Sequence, residues 1–156
     1  MSSLIGTLEA DVEISASADK FFGVMCTAPF KLTTIVPDIV KSCDLLDGLW
    51  GALGAITQWT YVFGGVTQTV VLAITSVNPF TKSVTYGLIK GDLSTEFSTF
   101  AVKINADQKL VGTTVHLTFT YVKLTDNVST PQALLDLGVE VIKALGAYLT
   151  YAYNAV

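Results

Sequence analysis

The sequence predicts an α+β fold in which a strongly curved, seven-stranded antiparallel sheet closes around one long C-terminal helix. Three observations lead there. The N-terminal stretch alternates apolar and polar residues with period two. The middle of the chain carries six strand-like runs parted by regularly spaced turn signals. After Thr130-Pro131 the hydrophobic period lengthens to that of a helix.

From Thr7 to Ile14, Leu8, Ala10, Val12 and Ile14 share one face while Glu9, Asp11 and Glu13 share the other, which predicts a half-buried strand with a wet back. In "SASADKFFGVM", Ser15 or Ser17 can cap a short helix carrying Phe21, Phe22 and Met25, and Pro29 opens a second one that ends before Pro37. Between Ile39 and Leu124, Asp47-Gly48, Gly64-Gly65, Asn78-Pro79, Gly91-Asp92 and Gly112 divide the chain into six strands of a meander. The last segment, "QALLDLGVEVIKALGAYLTYAY", has no proline. Asp136, Glu140 and Lys143 fall on one wet face of it, leaving Leu134, Leu135, Gly138, Ile142, Leu145 and Leu149 to face inward. Gly138 and Gly146 each cost about 1 kcal/mol against alanine in a helix interior, which suggests close approach or volume kept vacant.

Composition limits the function. The 156 residues suit a single domain, residues 1–156, with 51% hydrophobic and only 14% charged residues. A net charge of −4 and the absence of arginine argue against a nucleic-acid partner, which needs clustered cations. No apolar run reaches the roughly 18 to 20 residues of a membrane span. The N-terminus has no basic region followed by an apolar stretch, so a cytoplasmic protein is expected. Cys26 and Cys43 lack CxxC spacing and are expected as free thiols. With one histidine, no zinc site of familiar spacing can be assembled, and there is no GxSxG elbow and no GxGxxG after a strand. Neither a metal nor a cofactor is expected. Gly48, Gly51 and Gly54 are evenly spaced, but Ala55-Ile56 and a strand follow them rather than Lys and a helix, so they read as a turn and not a phosphate cradle.

Several stretches together resemble the plant major latex proteins, within the birch-pollen-allergen and pathogenesis-related class of the helix-grip fold. They are Gly6-Thr7-Leu8-Glu9, Ser17-Ala18-Asp19-Lys20-Phe21-Phe22, Cys43-Asp44-Leu45 through Gly48, Trp50-Gly51 and Gly54 to Trp59 and Tyr61, Gly91-Asp92-Leu93, and Tyr121 to Leu124 before Leu134-Leu135-Asp136. The resemblance spans almost the whole chain. It implies an apolar cavity between sheet and helix that holds a small hydrophobic molecule, with the glycine-rich loop as a rigid turn beside the cavity mouth. Where that family commonly carries Glu-Gly-Asp, this chain has Lys90-Gly91-Asp92. Strands usually rich in Lys and Glu here read "GVTQTVVLAITSV" and "EFSTFAVKI". That low-charge outer face suits a second subunit or a partner enzyme.

Strand parity names the lining, taking the more apolar face as concave. Thr57, Trp59, Tyr61 and Phe63 share one face; Val84, Tyr86, Leu88 and Lys90 another; Phe100, Val102 and Ile104 a third. Val115, Leu117, Phe119 and Tyr121 point inward from the final strand, which turns His116 outward. Closed by Leu135, Gly138 and Ile142 of the helix, these residues make an apolar pocket whose polar groups are Tyr61, Tyr86, Tyr121 and, at the rim, Lys90. The expected ligand contacts are Trp59, Phe63, Leu88, Phe100, Val102, Leu117, Phe119, Leu135, Gly138 and Ile142. Tyr61, Tyr86, Lys90 and Tyr121 are the candidate catalytic donors, placed to hold a carbonyl oxygen or an enolate. The same aromatics would also suit a filled core, and Lys90 a stem that snorkels to water.

Three functions follow. The resemblance implies most broadly a carrier or store of a hydrophobic metabolite or hormone. Relatives of this fold also promote cyclisations and isomerisations of alkaloid and terpenoid intermediates, which makes a cofactor-free cyclase or isomerase the leading expectation. Its concrete form is an iridoid cyclase closing a reactive monoterpene enol to a nepetalactol-like product. A defence protein acting through partner contact is the third.

Overall fold

The computed structural model describes residues 4–154, with side chains described as far as residue 151. Strand β1 (Ile5–Ile14) leads into α1 (Ala18–Phe22), which Ser17 caps by accepting the Lys20 amide at 3.2 Å. Helix α1 runs on into a π-helical turn over Gly23–Thr27 that the sequence pattern did not announce. A 3₁₀ turn opened by Pro29 then leads into α2 (Leu32–Ile35). Strands β2 (Val40–Asp47), β3 (Ile56–Phe63), β4 (Val66–Asn78), β5 (Ser83–Gly91), β6 (Phe97–Gln108) and β7 (Thr113–Lys123) form the meander, and α3 covers Gln132–Asn154. Pro131 stands just before α3, and its carbonyl accepts the Leu135 amide at 3.1 Å.

All neighbouring strands pair antiparallel, in the order β1-β7-β6-β5-β4-β3-β2. The pairing of β1 with β7 is the long-range step, bringing Ala10 opposite Leu117 and Val12 opposite Val115. Partners across a ladder share a face. The apolar sets of β1, β6 and β7 therefore stack on the concave side, with Ile104 opposite Leu117 and Val102 opposite Phe119.

Helix α3 lies on that concave side, and its two halves pack differently. Toward its C-terminal half, Leu145 is fully buried, as are Val115, Phe21 and Ala18 around the end of β1. A Cβ on Gly146 would stand 2.6 Å from Ile14 Cγ2, so glycine is what lets helix and strand close here. Toward its N-terminal half, Leu134, Leu137, Gly138 and Val141 are only half-buried, because they border open space.

The loop of Gly48, Gly51 and Gly54 is a turn. All three glycines have φ near +80°, at 82°, 78° and 85°, where a side chain is strained. The amides of Ala52, Gly54 and Ala55 donate to Leu49, Ile74 and Ala52 carbonyls, which commits them to the turn. The loop packs on the π-helical segment through Gly51 against Thr27, and Trp50 meets Phe30 in a tilted contact with ring centres 5.0 Å apart.

Candidate ligand cavity

Between the sheet and the N-terminal half of α3 lies a cavity of about 190 Å³. Strand β3 supplies Trp59 and Tyr61, β5 supplies Tyr86, β6 supplies Phe100 and Val102, β7 supplies Leu117 and Phe119, and α3 supplies Gly138 and Ile142. These nine sequence-predicted residues meet around one space. A Cβ on Gly138 would come 2.9 Å from Leu117 Cδ2, so the glycine keeps the helix near the sheet without filling the gap.

The other five predicted residues lie elsewhere. Leu135 is buried one position round the helix, off the lining. Phe63 sits at the hairpin end of β3, opposite Val66 and beyond the cavity. Leu88 borders a second hollow, where β5 parts from β6 past the Gly87–Ala101 pair. Tyr121 borders that same hollow, its ring packed over Gly6 so closely that a Cβ there would overlap the phenol. Its phenol belongs to an aromatic cluster with Phe97 and Phe100 rather than to the cavity.

Lys90 corrects the parity argument. Leu88 pairs with Leu72, yet Lys90 pairs with the adjacent Val71, so Ile89 is an inserted residue and the face flips between Leu88 and Lys90. Lys90 is therefore exposed on the face opposite Tyr86 and Leu88. A period-two count carried from Tyr86 to Lys90 misses this, because it assumes one residue per ladder step and the bulge adds one.

Sequence reasoning missed lining residues on β4 and the two turns, where no parity was assigned, and on α3 beside the inward face it chose. Val70 and Leu72 come from β4, Met25 from the π-helical turn, Leu93 from the 3₁₀ turn Asp92–Thr95, and Leu137 and Val141 from α3. The alternation of Val70 and Leu72 was available as a signal; helical spacing marked Met25 as an apolar-face residue but not as part of the lining, and nothing local marked Leu93.

The polar groups of the lining are occupied within the protein. Trp59 Nε1 donates to Thr57 Oγ1 at 2.9 Å, Tyr86 Oη donates to the Met25 carbonyl at 2.7 Å, and Tyr61 Oη donates to Gln68 Oε1 at 3.1 Å. Among the described residues no buried side-chain nitrogen or oxygen lacks a partner. Burial pushes the Tyr61 phenol up to about 12, helped by the nearby Asp92 and Glu96 charges. Tyr86 is driven up further by burial. Cys26 and Cys43 are free and buried; burial raises both thiols, Cys43 to about 12 with Asp44 adding to the shift. These groups are all neutral near pH 7.

A helix-gripping curved sheet with an apolar hollow at one end is a shape shared with known proteins. Residues 3–152 match the family model described as the pathogenesis-related protein Bet v 1 family. The chain belongs to that family. Within it, MLP-like protein 31 of Arabidopsis thaliana is 36% identical over 150 residues, 95% of this chain and 88% of the relative. MLP-like protein 28 of the same plant is 37% identical over 95% of this chain, which spans only 45% of that longer relative. The crystal structure of major latex-like protein 151 from Panax ginseng superposes with a TM-score of 0.91 at 27% identity, covering 94% of this chain and 98% of the ginseng chain. This Bet v 1 family member thus sits among the major latex-like proteins, as its glycine loop and Gly91-Asp92-Leu93 stretch suggested.

Among the described residues no helix is long and apolar enough to cross a membrane, and no group of three His, Cys, Asp or Glu side chains could hold a metal ion. His116 lies on the convex face, as its parity implied. Its Nδ1 is 2.7 Å from Asp11 Oδ1 and its Nε2 3.6 Å from Asp107 Oδ2. The sheet separates that cluster from the cavity.

Proposed function

We propose that this protein encloses a small, neutral hydrophobic metabolite in the cavity beneath α3, and that it uses the enclosure to steer a cyclisation or isomerisation without a cofactor. One observation supports this above the rest. The lining is apolar and its hydroxyl and indole hydrogens are spent on the protein's own acceptors, so the cavity offers shape and dryness rather than acid–base groups. At about 190 Å³ it is also smaller than the roughly 300 Å³ at which pockets for drug-sized ligands begin. A compact terpenoid skeleton fits that scale. A reactive monoterpene enol closing to a nepetalactol-like product remains the concrete instance we propose, because holding such a molecule in a near-attack shape contributes several kcal/mol through positioning alone.

The donor-assisted version narrows to Tyr61, whose hydrogen would have to leave Gln68, a partner only partly buried. Tyr86 is held by Met25, while Lys90 and Tyr121 stand outside the cavity. If Tyr61 stabilises charge in the transition state, Tyr61→Phe lowers turnover about 30-fold or more with little change in affinity; if confinement acts alone, the loss is a few-fold at most. Lys90→Met and Tyr121→Phe serve as comparisons expected to keep turnover near wild type.

The alternative reading is a carrier, which the same lining would serve. Generating a monoterpene dialdehyde enol in situ and reading product stereochemistry against a control without protein separates the two. A changed isomer ratio supports catalysis by confinement. An unchanged ratio with measurable binding of the product leaves a carrier, and absence of binding by any small apolar molecule would overturn both.

A further inference from the structure

The lining differs from a general hydrophobic pocket in what it cannot give. We infer that the cavity discriminates by charge, accepting neutral hydrocarbon-like ligands and rejecting the carboxylate forms of the same skeletons. This rests on the binding reading above and adds a chemical class to it.

Two independent observations carry the inference. The first is the fate of every side-chain hydrogen-bond donor in the lining. A buried carboxylate needs several donors or a cation to replace the water it leaves. The donors here are Trp59 Nε1, Tyr61 Oη and Tyr86 Oη, and each already donates within the protein, to Thr57, Gln68 and the Met25 carbonyl. Redirecting Tyr86 toward a ligand would strand the Met25 carbonyl beneath it. What the two phenol oxygens retain are lone pairs, which suit a ligand that donates or one with no polar group. No lysine lines the cavity, and Lys90, the nearest candidate by sequence, is on the opposite face.

The second observation is the sign of the charge at the Tyr61 end. Asp92 opens the 3₁₀ turn that carries the lining residue Leu93, and its Oδ2 accepts the Thr69 amide at 2.7 Å, beside Gln68. Asp92 and Glu96 both act on the Tyr61 phenol and disfavour its anion. The same field opposes any other anion placed beside Tyr61. A carboxylate thus meets no donor inside and like charge at this end.

The groups that face the cavity or the Tyr86 phenol are Tyr61, Tyr86, Cys26 and Cys43, all raised above their ordinary values by burial, with Asp92 and Glu96 at the Tyr61 end. His116 is raised chiefly by its hydrogen bond to Asp11, but it lies across the sheet among Asp11, Asp107 and Lys109. The protein side of the cavity therefore stays constant while an added acid ionises.

Geraniol and geranic acid share one hydrocarbon skeleton and differ in a terminal hydroxyl against a carboxyl. Calorimetric titration of both into the intact protein between pH 5.5 and 8.5 tests the inference, with circular dichroism confirming the fold at each pH. Geraniol is expected to bind with a Kd constant within about twofold. Geranic acid, bound only when protonated, is expected to weaken roughly tenfold per pH unit above its own pKa. If geranate at pH 8.5 binds within about threefold of geraniol, charge discrimination is overturned while the hydrophobic-ligand reading stands. If neither compound binds at any pH, the reading beneath it fails as well.

Discussion

The two halves of α3 face the same sheet and meet it differently. The C-terminal half presents Leu145 and Gly146 to β1 and β7 and forms solid core, with Leu145 and Val115 fully buried. The N-terminal half presents Leu137, Gly138 and Val141 to β3, β5, β6 and β7 and leaves about 190 Å³ open. Each half carries a glycine set against a side chain from the sheet, Ile14 at Gly146 and Leu117 at Gly138. At Gly146 the approach is so close that Ile14 fills the space a side chain would need. At Gly138 only the tip of Leu117 reaches across. The cavity therefore comes from where the sheet stands relative to the helix and not from small residues as such.

Truncating one large side chain in each half gives the largest expected contrast. Leu145→Ala removes a fully buried side chain from the solid end and is expected to cost about 2–5 kcal/mol in urea unfolding. Val141→Ala removes atoms that already border empty space and is expected to cost about 1 kcal/mol. Ligand affinity should respond in the opposite order, falling several-fold in Val141→Ala and hardly at all in Leu145→Ala. Equal stability losses would mean that the open end is as tightly packed as the closed one.

The phenol of Tyr86 ties the open half together, and its loss ranks next. Its bond to the Met25 carbonyl joins β5 to the π-helical turn across 61 positions of sequence. Tyr86→Phe leaves that carbonyl without its partner and is expected to cost about 1–3 kcal/mol. Tyr61→Phe breaks a bond between side chains on neighbouring strands, partly open to water, and should cost less than about 1 kcal/mol. If the two losses were equal, the Met25 bond would not tie β5 to the π-helical turn any more strongly than a partly exposed contact.

These residues also show what the sequence made legible. Period-two alternation placed Trp59, Tyr61, Tyr86, Phe100, Val102, Leu117 and Phe119 on the cavity correctly, since regular ladders preserve parity. It failed at Lys90, where the Ile89 bulge adds one residue. It also overreached at Phe63 and Tyr121, because parity gives the face of a strand and not how far along it the cavity extends. The helix was legible in its start at Pro131 and its wet face, yet the split between packed and open halves depends on contacts with Ile14 and Leu117. Tyr86 was found as a lining residue, but its commitment to Met25 is a non-local bond that no spacing encodes.

Gly138→Ala probes the open end more gently. Alanine gains about 1 kcal/mol of helix propensity, while its methyl meets the mobile tip of Leu117 at 2.9 Å. The net change in stability is expected to stay within about 1 kcal/mol, with ligand affinity reduced because the methyl enters the cavity wall. Gly146→Ala faces the stiff, β-branched Ile14 instead and should be the less stable of the two in parallel urea titrations.

The smallest expected effect lies outside the closed half, where Asp11 of β1, His116 of β7 and Asp107 of β6 bridge three strands. His116 is raised above 6.5 chiefly by its hydrogen bond to Asp11, with Asp107 adding to the shift and burial opposing it. A histidine whose folded pKa is raised stabilises fully below its unfolded value and loses that contribution as pH climbs through the folded one. Asp107, lowered from 3.8 mainly by Lys109, works in the other sense, losing its contribution as pH falls. Both contributions are fully present above the ordinary aspartate value of 3.8 and below the ordinary histidine value of 6.5, and each fades beyond its own side of that window. His116→Gln is therefore expected to cost more at pH 5.5 than at pH 8.5. The difference should be less than about 1 kcal/mol, because the imidazole is 37% exposed and its pairs are screened by salt. Geraniol affinity should be the same in both proteins at both pH values, since the sheet separates this cluster from the cavity. An affinity that followed the His116 titration would mean that the outer clamp and the open end respond to each other, and the two halves of the grip could no longer be treated as independent.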